Sequence, residues 1–157
     1  KRQIAIQDSI FNVLEQIVDI DFKSVHRFLN PIIRISGYSR DINANSDYFD
    51  GPGGVLAHAH WDCFYDCEKS NRINFDFDEK WTDKKGADGW YYQIVFLHEL
   101  FHVLGNKHSS IHDSFMYPAY NEDGIFTDDD LKFLTDNYEI NKNFSINILP
   151  FSIYRTD

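Results

Sequence analysis

FLHELFHVLGNKHSS, residues 96–110, decides how the rest of this chain is read. On a helix, His98 and His102 stand one turn apart, so both imidazoles lean from one face toward a common point. A metal ion about 2.0–2.1 Å from each ring nitrogen fits there. A tetrahedral ion needs a third ligand from another direction, and Gly105 lets the chain turn sharply enough for His108 to supply it. Glu99 adjoins His98 and can reach a water on the metal without being a ligand itself. Three neutral imidazoles leave zinc its charge, which lowers the pKa of that water to about 7. H-E-x-x-H alone arises fairly often by chance. With Gly105 and His108 at fixed offsets, the accidental rate falls below roughly one in a million per position, so three unconnected histidines are set aside.

Working outward, 157 residues suit one domain with a single core, and 43% apolar with 25% charged residues is an ordinary globular balance. The 14 Phe, 9 Tyr and 3 Trp imply a well-filled core. A net charge of −10 argues against nucleic acid or an anionic membrane surface, since both repel an acidic face. Clustered carboxylates can hold calcium, although acidic excess alone means solubility. No apolar run approaches the roughly 20 residues of a membrane span. The start shows no signal-peptide pattern, so either none exists or the chain is a processed piece. Cys63 and Cys67 can be free thiols or a short disulfide; C-x3-C without a second pair is weak evidence for zinc.

The periodicity predicts a helix over 4–18, with its stripe on Ile6, Ile10, Val13, Leu14 and Ile17. Strands are expected at 19–25 and 32–36, from near Val55, and within 73–81. Asp88 is the expected N-cap of the helix that carries the histidines, and Gly105 its left-handed stop. A last helix over 126–138 is capped by Thr127. No internal repeat, low-complexity tract or domain boundary breaks the run.

These features together resemble the matrixins, the matrix metalloproteinase family of the metzincin clan. In addition to HELFHVLGNKHS with Ser109 after the third histidine, SFMYPAY (114–120) is similar to the Met-turn and the wall beyond it. FDGPGGVLAHA (49–59) with FDFDEKW (75–81) resembles the calcium loop and following strand, and TDDDLKFLTDNY resembles the closing helix. The resemblance covers about residues 4–139. It implies an α+β fold: a twisted, mostly parallel sheet with one antiparallel edge strand, three helices, and an active-site cleft between upper and lower subdomains. The domain would span 1–139, with 140–157 a tail that is either a linker or an added strand.

Carried over by position, the resemblance implies catalytic zinc on His98, His102 and His108, with Glu99 as general base. It implies calcium on the side chains of Asp50, Asp76 and Glu79 and the carbonyls of Gly51, Gly53 and Val55. The bland alternative is a Gly-rich turn beside a solvated acidic turn. Met116 would lie beneath the zinc, Asp129 and Asp130 would be the family's paired aspartates, and Pro118 and Tyr120 would line the pocket for the residue after the cut bond. The strand at 55–60, with Leu56 and Ala57, would pair as an open edge with an extended peptide.

Several positions depart from the family. At the second, structural zinc, Asn43, Asn45 and Asn74 stand where ligands belong and His58 alone survives, so that zinc is expected to be absent. A Cys63–Cys67 disulfide would then stiffen the loop that zinc otherwise holds. A competing reading puts a metal on His58 and His60 with Asp62 or Asp47. Phe96, Leu97 and Phe101 replace smaller residues and either narrow the cleft or repack the core. KRQIAIQ leaves no room for the strand that precedes the first helix, a gap that the β-prone stretch 143–157 could fill. The inhibitory propeptide motif is not in these 157 residues.

The expected function is a secreted, monomeric zinc endopeptidase that cuts extended extracellular polypeptide and is open to protein inhibitors of metalloproteinases. The alternative is a metal-keeping interaction module with little catalysis. Glu99 discriminates, because a degraded enzyme commonly loses its base first.

Overall fold

A computed structural model describes residues 1–26, 31–38, 49–60 and 71–144. Residues 1–24 fold together with the stretch that starts at His108, and residues 25–107 form a second compact portion.

In the first portion, helix α1 (Arg2–Ile17) buries Ile10, Val13, Leu14 and Ile17, the greater part of the apolar stripe. Each such side chain removed from water contributes roughly 1.5–3 kcal/mol. The helix stops where Val18 turns extended (φ −122°, ψ 152°) and bridges Ile140. Asn141 completes the helix end: its backbone N–H donates to the Ile17 carbonyl at 3.0 Å and its side-chain amide to the Glu15 carbonyl at 2.7 Å. These are the carbonyls that a helix C-terminus leaves without a helical partner.

Residues 19–25 form no strand, contrary to their alternating pattern. Phe22 instead donates its backbone N–H to Glu15 Oε1 at 2.7 Å and stacks its ring on Phe11 at 4.6 Å. The helix flank thus takes the donor that a sheet ladder would need.

Helix α3 (Asp128–Asn137) begins as expected at Thr127, through a capping box with Asp130. Asp128, Asp129 and Asp130 place negative charge on the positive end of the helix dipole. Asp130 is buried, and its Oδ2 also accepts from Ser114 Oγ at 3.4 Å. Ser114 Oγ in turn accepts from the Met116 backbone N–H at 2.9 Å, while the Ser109 N–H donates to the Met116 carbonyl at 2.9 Å. Met116 is fully buried in this turn.

In the second portion, β1 (Ile33–Tyr38), β2 (Ala57–His60) and β3 (Asn71–Asp76) form a sheet of order β1-β3-β2. β1 runs parallel to β3, and β2 is the antiparallel edge, two residues shorter at its start than Val55 suggests. A two-residue ladder, β4 (Trp81–Thr82) with β5 (Trp90–Tyr91), leads directly into α2 (Tyr92–Leu104). Asp88 is therefore not the N-cap; that position is Tyr91, and Asp88 pairs with Lys80. The helix starts late because Trp90 and Tyr91 are taken by Trp81 and Thr82.

Helix α2 packs on β2 and β3 and is buried almost all round. Phe75, Trp81, Tyr92 and Phe96 form one aromatic cluster, with the Phe75 and Tyr92 centroids 4.8 Å apart and Tyr92 stacked on Phe96. Phe96, Leu97 and Phe101 are all buried, so these larger side chains fill the core. The mixed sheet with three helices is the α+β, metzincin-like arrangement expected from the sequence.

Candidate metal centre

The site is built on the C-terminal half of α2 and the turn that ends it. Gly105 adopts φ +108°, its N–H donates to the His102 carbonyl at 3.0 Å, and the Asn106 N–H donates to the Phe101 carbonyl at 2.8 Å. That pair of bonds around a left-handed glycine is the Schellman stop. The chain leaves the helix here, and His108 follows three residues later.

Ring nitrogens of His98, His102 and His108 all lie within 4.8 Å of one another. His98 Nε2 and His102 Nε2 are 3.0 Å apart, with ring planes at 87°. Tetrahedral ligands at about 2.0–2.1 Å from zinc sit about 3.3 Å from each other, so the His98–His102 spacing is already close to what an ion requires. His102 Nδ1 contacts the Asn106 carbonyl at 2.9 Å. That acceptor holds the proton on Nδ1 and leaves the Nε2 lone pair for a metal. The Asn106 contact has no signature among the side chains, because the acceptor is a backbone atom placed by the Gly105 turn.

Glu99 is buried, which pushes its carboxyl up from 4.5 to about 7, while a hydrogen bond from the Ala59 backbone works in the opposite direction. A carboxyl with affinity for protons near neutrality, one residue from a metal ligand, suits proton transfer.

The carboxylates around 49–55 and 76–79 are arranged differently. Among the described residues, the three histidines alone bring ligand atoms together this closely. Asp50 Oδ1 accepts from the Val55 N–H at 3.0 Å, and Glu79 Oε1 accepts from the Gly53 N–H at 2.6 Å. Gly51 and Gly53 take φ of 84° and 80°, the left-handed backbone that glycine adopts readily in a tight loop. Asp76 Oδ1 accepts from the Asp78 N–H at 2.8 Å, whereas its buried Oδ2 has no hydrogen-bond partner among the described residues. Burial raises the Asp76 carboxyl, and the charges of Asp78, Glu79 and Asp50 raise it further. An orphaned buried carboxylate oxygen among other carboxylates is the environment that a hard cation relieves.

At the position of the second zinc, His58 faces Asn74 across the β2–β3 ladder. Asn74 is buried, and the His58 ring lies 5.1 Å from Phe49. A neutral amide is a poor zinc ligand. Asn43, Asn45, Asp47, Asp62 and the two cysteines, Cys63 and Cys67, lie outside the described residues. So does the stretch 145–157, on which the added-strand expectation mostly falls. Leu56 accepts the Asp76 N–H at 3.0 Å, which fixes the approach to β2, and Ala57 opens that strand. Pro118 and Tyr120 are exposed, as is Asp129.

The model of the matrixin family of peptidases matches residues 2–139. The chain belongs to the matrixin family. Among curated relatives, this matrixin is 37% identical to cat (Felis catus) matrilysin over 69% of the chain and 39% of that protein. It is 35% identical to stromelysin-3 of Xenopus laevis over 69% of the chain and 21% of the relative. Matrix metalloproteinase-2 of Drosophila melanogaster is 39% identical over 59% of the chain and 13% of its own length. This matrixin therefore spans well under half of the relatives it matches. Family membership implies a zinc metalloprotease, and the three histidines form a group able to bind the metal. No helix among the described residues is long and apolar enough to cross a membrane.

Proposed function

We propose that this chain is the catalytic part of a secreted zinc endopeptidase that hydrolyses internal bonds of extended extracellular polypeptides. The observation that carries the proposal is the convergence of His98, His102 and His108 beside the buried Glu99. His98, His102 and His108 would hold the zinc, which when bound supplies Lewis-acid polarisation of a carbonyl and of a water.

The chain's own residues do the rest. Glu99 accepts the proton of the attacking water and delivers it to the leaving amine, a role that its raised proton affinity suits. β2, the antiparallel one of the two edge strands among the described residues, offers backbone groups to an extended peptide. Pro118 and Tyr120 line the pocket for the residue after the scissile bond. Asp50, Asp76 and Glu79, with the carbonyls of Gly51, Gly53 and Val55, hold calcium. Asn74 opposite His58 leaves the chain without the second zinc, so one zinc binds per chain.

An unbiased peptide library incubated with the zinc-loaded protein tests the reading, with Glu99→Ala and a zinc-chelated sample as controls. Cleavage that disappears in both controls is expected. Absence of cleavage by the zinc-loaded wild-type chain overturns the peptidase reading in favour of a metal-binding module.

A further inference from the structure

The start of α2 has no ordinary cap. Tyr91 makes no side-chain capping hydrogen bond, and the first turn carries no acidic residue. Entry into the helix is fixed by the pairing of Trp81 with Trp90 and of Thr82 with Tyr91, and by the Trp90 N–H donating to the Lys80 carbonyl at 2.8 Å. Gly89 belongs to the same joint. It takes φ +134°, and a Cβ there would meet the Lys80 carbonyl oxygen at 2.6 Å. Trp90 then donates its indole N–H to Glu79 Oε2 at 2.6 Å, while Glu79 Oε1 takes the Gly53 N–H. One buried carboxylate thus touches the loop 49–55 on one side and the residue two before α2 on the other.

We propose that Trp90 is a positioning residue that couples cation occupancy at Asp50, Asp76 and Glu79 to the helix carrying His98, Glu99 and His102. The inference rests on the reading of those carboxylates as a calcium site. Hydrogen bonds to an ionised acceptor are strong and directional, so the orientation of Glu79 and that of the Trp90 indole are set together. A cation that fixes Glu79 fixes the indole, and with it the direction in which α2 departs. Coupling of this kind is reciprocal: calcium tightens zinc binding by the factor by which zinc tightens calcium.

The test is the zinc dissociation constant, measured by competition with a chromophoric chelator in calcium-saturated and calcium-free buffer, for wild type and Trp90→Phe. Phe keeps a ring and removes the donor. Wild type is expected to bind zinc at least about fivefold more tightly with calcium, and the ratio is expected to fall close to one in Trp90→Phe. An equal ratio in both proteins overturns the role of Trp90. Calcium calorimetry on wild type separates the two failures. No calcium binding removes the site and the coupling together, whereas calcium binding with an unchanged ratio removes the coupling alone. Should Trp90→Phe not fold, the indole N–H resonance of ¹⁵N-labelled wild type decides. It is expected to exchange slowly and to shift on calcium addition, and a freely exchanging, unmoved resonance overturns the proposal.

Discussion

Glu99 sits in a helix whose other buried side chains are all apolar or aromatic. Its carboxyl is raised from 4.5 to about 7. In the zinc-free protein, the folded state therefore holds a proton that the unfolded state releases at lower pH. The contribution is fully present below about 4.5 and is lost as pH rises through about 7. The cost at high pH is about 3 kcal/mol. Denaturant midpoints of the zinc-free, calcium-loaded protein are expected to fall across this window, and Glu99→Gln is expected to flatten the slope. In the zinc-loaded protein, Glu99→Gln is expected to lower peptide turnover at least about 10²–10⁴-fold with zinc content unchanged, as read by metal analysis. The histidine positions were legible from letters alone, because a helix repeat and one glycine dictate where those side chains go. Asn106 was not, since what it supplies is a carbonyl that every residue possesses. Trp90 read as part of a helix because its indole partner, Glu79, lies eleven residues away in another turn.

Elements whose ends are written in side chains were the readable ones. Thr127 with Asp130 marks the start of α3, and Gly105 marks the end of α2. Thr127→Ala is expected to cost about 1 kcal/mol, seen as a shift in chemical denaturation. Gly105→Ala forces a Cβ into the left-handed region and is expected to cost about 1 kcal/mol or more. It is also expected to weaken zinc affinity, because the same turn brings His108 back; a chelator competition reads that loss separately from stability. Elements that depend on distant partners were read wrongly. Residues 19–25 alternate like a strand, but their pairing groups go to Glu15 and Glu139. The N-cap of α2 is Tyr91 and not Asp88 because a tryptophan pair, invisible to periodicity, claimed Trp90.

At the scale of the molecule, metals are expected to be part of the stability. A ligand at a hundred times its dissociation constant adds about 2.7 kcal/mol to the folded state. For a chain of 157 residues that is about 5–10 °C in melting temperature. Calorimetric melts with zinc alone, calcium alone, both and neither are expected to separate by steps of that size. The mixed sheet and three helices were legible as a class from the motifs, whereas the closure of α1 by Asn141 was not. That closure joins positions 126 residues apart in sequence. A nascent chain therefore makes α1 early and leaves its last carbonyls open until residue 141 emerges, roughly 6–25 s later at about 5–20 residues per second. For that interval the apolar stripe of α1 is exposed at the ribosome, and a holding chaperone has a target there before the domain has a fold.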